Sequence, residues 1–222
     1  MTVAGRSVLA YLSQPEQGGP GILLLHAWWG LKPFFRQLCD RLAEQGFVAL
    51  APDLRNGQIA RTVDEARELM EKSDSQFTKD AVMAATEYLL NLPDRHGEKI
   101  GVIGFSMGAA WSLVVASSVP DQVAAAVLFY GSGEVDVNKI KSKILGHYSD
   151  VDAWEPYDEI KQLERKMKAA SVDVQFHVYP GRPHWFVEAD RPEYDPEAAT
   201  LAWKRTFEFL SAHLRADAAT GT

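Results

Sequence analysis

Residues 100–118 read IGVIGFSMGAAWSLVVASS, and no other stretch limits the possible folds so sharply. A short apolar run of strand character ends in Gly104-Phe105-Ser106-Met107-Gly108, and a helical pattern begins at once and lasts to about Ser118. A strand can pass into a helix within so few residues only through a tight corner, and the glycines remove the Cβ atoms that would collide there. A G-x-S-x-G sequence in a strand–turn–helix setting lifts a serine hydroxyl clear of the sheet as a nucleophile. It also places a helix N-terminus, with its unpaired N–H groups and positive dipole end, beneath any negative charge that develops. A chance match in a glycine-containing turn is the bland alternative; the strand before it and the helix after it favour the catalytic reading.

The rest of the chain repeats this alternation. Residues 7–12 read as a first strand, and 21–25 (GILLL) and 47–51 (FVALA) as short apolar runs buried on both faces. Further strands are expected at 123–130, 143–148 and 172–179, the last with Val172, Val174, Phe176 and Val178 on one face. Helical spacing marks 33–44, 62–72, 78–91, 156–169 and a final stretch from about Pro196, whose Trp203, Phe207, Leu210 and Leu214 form a core-facing stripe. Thr62 and Glu65 have the spacing of a capping box. Strand–helix alternation over the whole length predicts an α/β fold: a mostly parallel central sheet with helices on both faces and no large lid domain. One domain over residues 1–214 is expected, with a small polar tail, 215–222, that is disordered. In such a sheet the site lies outside the carboxyl ends of the strands.

A serine hydroxyl needs a base, and the base an orienting acid; in this setting the chain order is Ser, then Asp or Glu, then His. Four histidines follow Ser106. His147 and His177 fall within expected strands, and His213 near the end of the last helix. His184 stands in the loop after the last strand, Gly181-Arg182-Pro183-His184-Trp185-Phe186, which can turn an imidazole over the serine, so it is the expected base. For the acid, the loop SDVDAWEP offers Asp152, preferred, and Asp150. One oxyanion donor is expected from the backbone N–H of Met107. The other comes from the loop His26-Ala27-Trp28-Trp29-Gly30, through Trp28 or, one residue away, Ala27.

Taken together, these segments resemble the dienelactone hydrolase family of the α/β-hydrolase superfamily. The resemblance runs over most of the chain. It rests on the His-Ala-Trp-Trp-Gly loop, residues 46–54 (GFVALAPDL), the Ser106 corner, the acid loop from His147 to Pro156 and the histidine loop from Tyr179 to Phe186. It implies an α/β-hydrolase fold, Ser106 as nucleophile, Asp152 as acid, His184 as base and Trp28 as oxyanion donor. The chain departs from the family pattern in carrying serine where dienelactone hydrolases proper have cysteine, and Ala27 where they have a thiol-activating glutamate. The two changes agree, since a serine has no thiol to activate. A third departure is Glu188, where the family's substrate-carboxylate-binding arginine is expected; a negative charge there would repel an anionic lactone and favour a neutral ester.

Trp28, Trp29, Trp154 and Trp185 all fall in loops expected to converge on the site, and Trp111 in the helix after Ser106. Four tryptophans on one rim suggest apolar walls for a hydrophobic acyl group. Arg55 and Arg182 are candidates for binding an anion, with a surface ion pair as the plainer role for each. Net charge −7 argues against a nucleic-acid partner, and no apolar run approaches the roughly 18 residues of a membrane span. The only cysteine, Cys39, excludes an internal disulfide and a cysteine-based zinc site and reads as a small buried apolar residue. The expectation is a cytoplasmic serine esterase or lactonase, monomeric or a small homo-oligomer, acting on a neutral hydrophobic ester or lactone. No cofactor and no metal are expected. A thioesterase or amidase with the same triad, and a non-catalytic binding protein on this fold, are the alternatives.

Overall fold

The computed structural model describes residues 1–218. A hairpin comes first, β1 (Thr2–Val3) and β2 (Arg6–Ser7), closed by the two-residue turn Ala4-Gly5. Both turn residues have positive φ, 47° and 75°, as a type I′ hairpin requires. Ser7 is thereby paired with Thr2, and the first long strand, expected from residue 7, starts instead at Ala10. The other strands are β3 (Ala10–Ser13), β4 (Gly19–Leu25), β5 (Val48–Pro52), β6 (Arg95–Phe105), β7 (Val123–Phe129), β8 (Lys143–Tyr148) and β9 (Val174–Val178). The helices are α1 (Pro33–Glu44), α2 (Val63–Glu71), α3 (Ser75–Leu90), α4 (Met107–Ser118), α5 (Tyr157–Ala169) and α6 (Pro196–Ala218).

Strands β3 to β9 form one sheet in the order β3-β5-β4-β6-β7-β8-β9, parallel except for β3, which runs antiparallel to β5. Central β4 is buried at all seven positions. Its side chains alternate between two cores: Ile22 and Leu24 pack with α1 and α6, Leu23 and Leu25 with α3, α4 and α5. Each such leucine contributes about 1.5–3 kcal/mol relative to exposure, which is why the strand is a continuous apolar run and not an alternating one. Trp203, Leu210 and Leu214 of α6 are buried as the stripe predicts, with Phe207 packed beside them. The capping box of α2 is formed, Glu65 N–H donating to Thr62 Oγ1 and Thr62 N–H to the Glu65 carboxylate.

At the carboxyl end of the chain α6 outlasts its expected limit. It runs to Ala218, and Arg215 donates to the Gln45 carbonyl and lies over the Phe47 ring. The first part of the expected disordered tail is therefore helical, and residues 219–222 lie outside the described residues. Among the described residues no helix is long and apolar enough to cross a membrane.

Candidate active site

The turn from β6 into α4 carries Ser106 as N-cap at φ 50°, ψ −113°, a conformation costly for a residue with a side chain. Ser106 N–H donates to the Phe129 carbonyl at 2.9 Å, and its own carbonyl receives the Ala109 N–H at 2.9 Å. A Cβ on Gly104 would strike the Gly108 carbonyl and Ser112, and one on Gly108 would strike the Leu25 carbonyl. The two glycines thus permit the close strand–helix approach that holds the strained serine.

His184 and Asp152 reach this serine from the two strands at one edge of the sheet. His184 follows β9 and is 4% exposed; Asp152 follows β8. His184 Nε2 lies 3.0 Å from Ser106 Oγ, and His184 Nδ1 lies 2.6 Å from Asp152 Oδ2. A carboxylate only accepts, so Nδ1 carries the proton and Nε2 is free to accept from the serine hydroxyl. The other Asp152 oxygen receives the N–H groups of Trp154 and Glu155 at 2.8 and 3.0 Å, which fixes the carboxylate's orientation. Asp150, the alternative acid, is engaged elsewhere: it accepts the Gly181 N–H at 2.7 Å and anchors the base of the histidine loop. Beside the pair, burial raises the Glu155 carboxyl above its usual range, against the lowering influence of its bond to Ser132.

The loop after β4 brings Trp28 toward the same end of the sheet. Its neighbour His26 is fully buried. His26 Nδ1–H donates to the Ala27 carbonyl at 2.6 Å and Nε2 accepts the Leu54 N–H at 3.1 Å, so the ring ties this loop to the segment after β5. Burial pushes its pKa down to about 4, keeping it neutral at physiological pH. Met107 is the first residue of α4, so its N–H is among the helix's unpaired N-terminal donors. Ser106, Asp152, His184 and Trp28 in loops, and Met107 at the start of α4, therefore stand together at the carboxyl ends of β4, β6, β8 and β9.

Three expectations require correction. Glu188 does not face a substrate. It is fully buried, accepts the Tyr130 hydroxyl at 2.8 Å and pairs with Lys32 Nζ at 2.6 Å, and Lys32 also binds Asp190 at 2.8 Å. Its charge is spent inside the fold, so it supplies no repulsion against an anionic lactone. The tryptophans do converge, Trp28 lying 5.1 Å from Trp154, 5.4 Å from Trp29 and 6.3 Å from Trp185 between ring centroids. Trp29 and Trp185, however, are core residues, stacked under the Arg191 guanidinium; Trp154, 44% exposed, and the partly buried Trp28 remain to form a rim. Lastly, Arg55 is no surface residue. It is 5% exposed, whereas Arg182 does form an ion pair, with Asp195 at 3.1 Å.

Sequence reasoning missed His26, Lys32 and Tyr130. Tyr130 packs its ring 4.8 Å from the His184 imidazole at φ 38°, against the end of β7. His26 carried a usable signal, an imidazole immediately beyond a buried strand; for Lys32 and Tyr130 the partners are distant in sequence and nothing local marks them. His147 is held inside the fold, its ring meeting the Tyr179 hydroxyl at 2.9 Å and Thr206 at 3.0 Å. Among the described residues no group of three or more His, Cys, Asp or Glu side chains is placed to hold a metal ion.

A model of the dienelactone hydrolase family matches residues 8–214. The protein usf of Aquifex pyrophilus is 35% identical over 220 residues, covering 95% of each chain. A protein of Aquifex aeolicus described as a candidate carboxymethylenebutenolidase is 31% identical, over 95% of this chain and 96% of the relative. A Klebsiella pneumoniae structure described as a candidate dienelactone hydrolase superposes with a TM-score of 0.83 at 24% identity, covering 95% of both chains.

Proposed function

The chain belongs to the dienelactone hydrolase family, and from that premise we propose that it hydrolyses a carboxylic ester or lactone through an acyl-enzyme on Ser106. The observation that carries this reading is the unbroken relay from Asp152 through His184 to Ser106, with contacts of 2.6 and 3.0 Å. His184 Nε2 takes the Oγ proton as Oγ bonds to the substrate carbonyl carbon. Asp152 holds the Nδ1–H and stabilises the imidazolium without itself being protonated. The N–H groups of Met107 and Trp28 receive the oxyanion, in a site where such donors are each worth about 10²–10³ in rate. His184 then returns the proton to the departing alkoxide, and water, deprotonated by the same nitrogen, releases the acid.

A neutral, hydrophobic substrate is the reading for the acyl side, supported by the Trp28–Trp154 rim alone now that Glu188 is neutralised by Lys32. The single buried cysteine is in keeping with a cytoplasmic location. The test is hydrolysis of a graded series of p-nitrophenyl esters by wild type and Ser106→Ala. Activity on some member, lost by about 10⁴-fold or more in the variant, is expected. Activity that survives the substitution would move the chemistry elsewhere. Silence across the series, with no labelling of native protein by a fluorophosphonate probe, would replace the enzyme with a binding protein on this fold.

A further inference from the structure

Arg55 lies in the loop between β5 and α2, buried, and lacks the partner that burial of a charge calls for. Its guanidinium meets the sulfur atoms of Met70 and Met107, the latter at 2.9 Å, and the Leu69 carbonyl at 3.4 Å; its Nε has no acceptor. Thioethers are weak acceptors, and among the described residues no carboxylate lies within ion-pair reach of it. Asp53, two residues away, spends one oxygen on the Arg55 N–H at 3.0 Å and the other on the Gly57 N–H at 2.6 Å.

Arg55 lines a cavity of about 500 Å³ between the first hairpin, the loop after β5 and the start of α3. Two more basic side chains border it, Arg6 and Lys72, both on exposed residues. The Arg6 guanidinium lies 3.6 Å over the Phe77 ring, and Lys72 pairs with the exposed Glu68 at 3.1 Å. Leu54, Leu69 and Phe77 supply apolar wall. The acids of the lining are Asp53 and Asp74, and Asp74 caps α3 by accepting the Phe77 N–H at 3.0 Å. Three cations thus surround a cavity whose two carboxylates already serve backbone donors.

We propose that this cavity binds a small organic anion, a carboxylate or phosphate monoester with an apolar body, with the Arg55 guanidinium as its receptor. A planar guanidinium suits both headgroups, since each offers paired oxygens to its fork of donors. The apolar wall selects an organic body over a bare ion. Ser106 is not among the residues lining the cavity, although the Arg55 guanidinium reaches the side chain of its neighbour Met107, and the proposal does not depend on the hydrolytic reading.

The test is isothermal titration of Ser106→Ala protein with benzoate, phenyl phosphate and inorganic phosphate, with benzyl alcohol as the neutral counterpart. One benzoate or phenyl phosphate is expected per chain, the tighter of the two identifying the headgroup. Inorganic phosphate should bind more weakly, and benzyl alcohol should not compete. Arg55→Gln should weaken binding about tenfold or more, the loss of one charge-assisted bond. The exposed pair Arg6→Ala/Lys72→Ala should weaken it about threefold and reduce its salt dependence. If Arg55→Gln does not fold, the exposed pair decides. Absence of binding by either organic anion, equal binding of benzyl alcohol, or affinity indifferent to these substitutions would overturn the proposal.

Discussion

Asp150 and Asp152 are separated by one residue yet have different work, and the difference can be measured. Asp152 Oδ2 faces the His184 ring, while Asp150 Oδ1 holds the Gly181 N–H. Asp152→Asn presents an amide donor or a neutral oxygen to Nδ1 and favours the wrong tautomer, so kcat should fall by about 10⁴. Asp150→Asn keeps an acceptor for Gly181 and should change kcat less than about tenfold. Steady-state hydrolysis by the two variants distinguishes them; equal losses would mean that the acid is misassigned. At this scale the sequence was informative wherever a residue's placement follows from its immediate neighbours. Ser106 sits between two glycines at a strand end, and His184 just past the last strand. Glu188 was misjudged because its role depends on Tyr130 and Lys32, 58 and 156 positions away, and neither is visible from a local window.

Those same three residues define the arrangement of elements around the site. Lys32 caps α1 just beyond the Trp28 loop, Glu188 closes the histidine loop, and Tyr130 ends β7 while packing on His184. The buried Lys32–Glu188 pair therefore fastens the Trp28 loop to the loop bearing His184. Removing one partner of a buried pair leaves a charge uncompensated, at a cost of about 3–5 kcal/mol. Lys32→Met should show that cost in urea denaturation, and Lys32→Met/Glu188→Gln should recover most of it, because Gln still accepts from Tyr130. The sign with pH is also defined. Burial raises the Glu188 carboxyl and Lys32 opposes this. Without Lys32 the folded form holds its proton where the unfolded chain has lost it, so Lys32→Met should lose stability relative to wild type as pH rises above the ordinary carboxyl range. Additive single and double variants would mean that the two loops are not coupled through this pair. Element positions themselves were largely legible, since apolar runs and helical spacing report burial directly. Exceptions include the first strand, where the Ala4-Gly5 turn captured Ser7, the start of β6 at Arg95 where residue 100 was expected, the start of α3 at Ser75 where residue 78 was expected, and the end of α6, where Arg215 finds a partner at Gln45.

One sheet runs from β3 to β9, and both of its cores are closed over the same strands, so unfolding is expected to proceed as one transition from which the acid response of the whole molecule can be read. One identifiable contributor is His26, buried and neutral, with a pKa near 4 in the fold and about 6.5 in the unfolded chain. Between those values the unfolded state binds the proton and the folded state does not, so stability rises with pH through that window and is fully present above it. Across 2.5 units the contribution is about 3 kcal/mol. His147, also buried and lowered, acts in the same direction, while the raised carboxyls of Glu155 and Glu188 oppose it. A difference measurement isolates His26. His26→Gln keeps an acceptor within reach of the Leu54 N–H and cannot titrate. From pH 7.5 to pH 4.5, wild type should lose up to about 3 kcal/mol more urea stability than this variant does. Activity of the folded protein should respond to His26 only near pH 4, where the ring takes its proton, loses the lone pair that holds the Leu54 N–H and loosens the loop carrying Trp28. Parallel stability curves for the two proteins would show that the ring takes its proton as readily in the fold as in the unfolded chain, and that the Trp28 loop is held by something other than neutral His26.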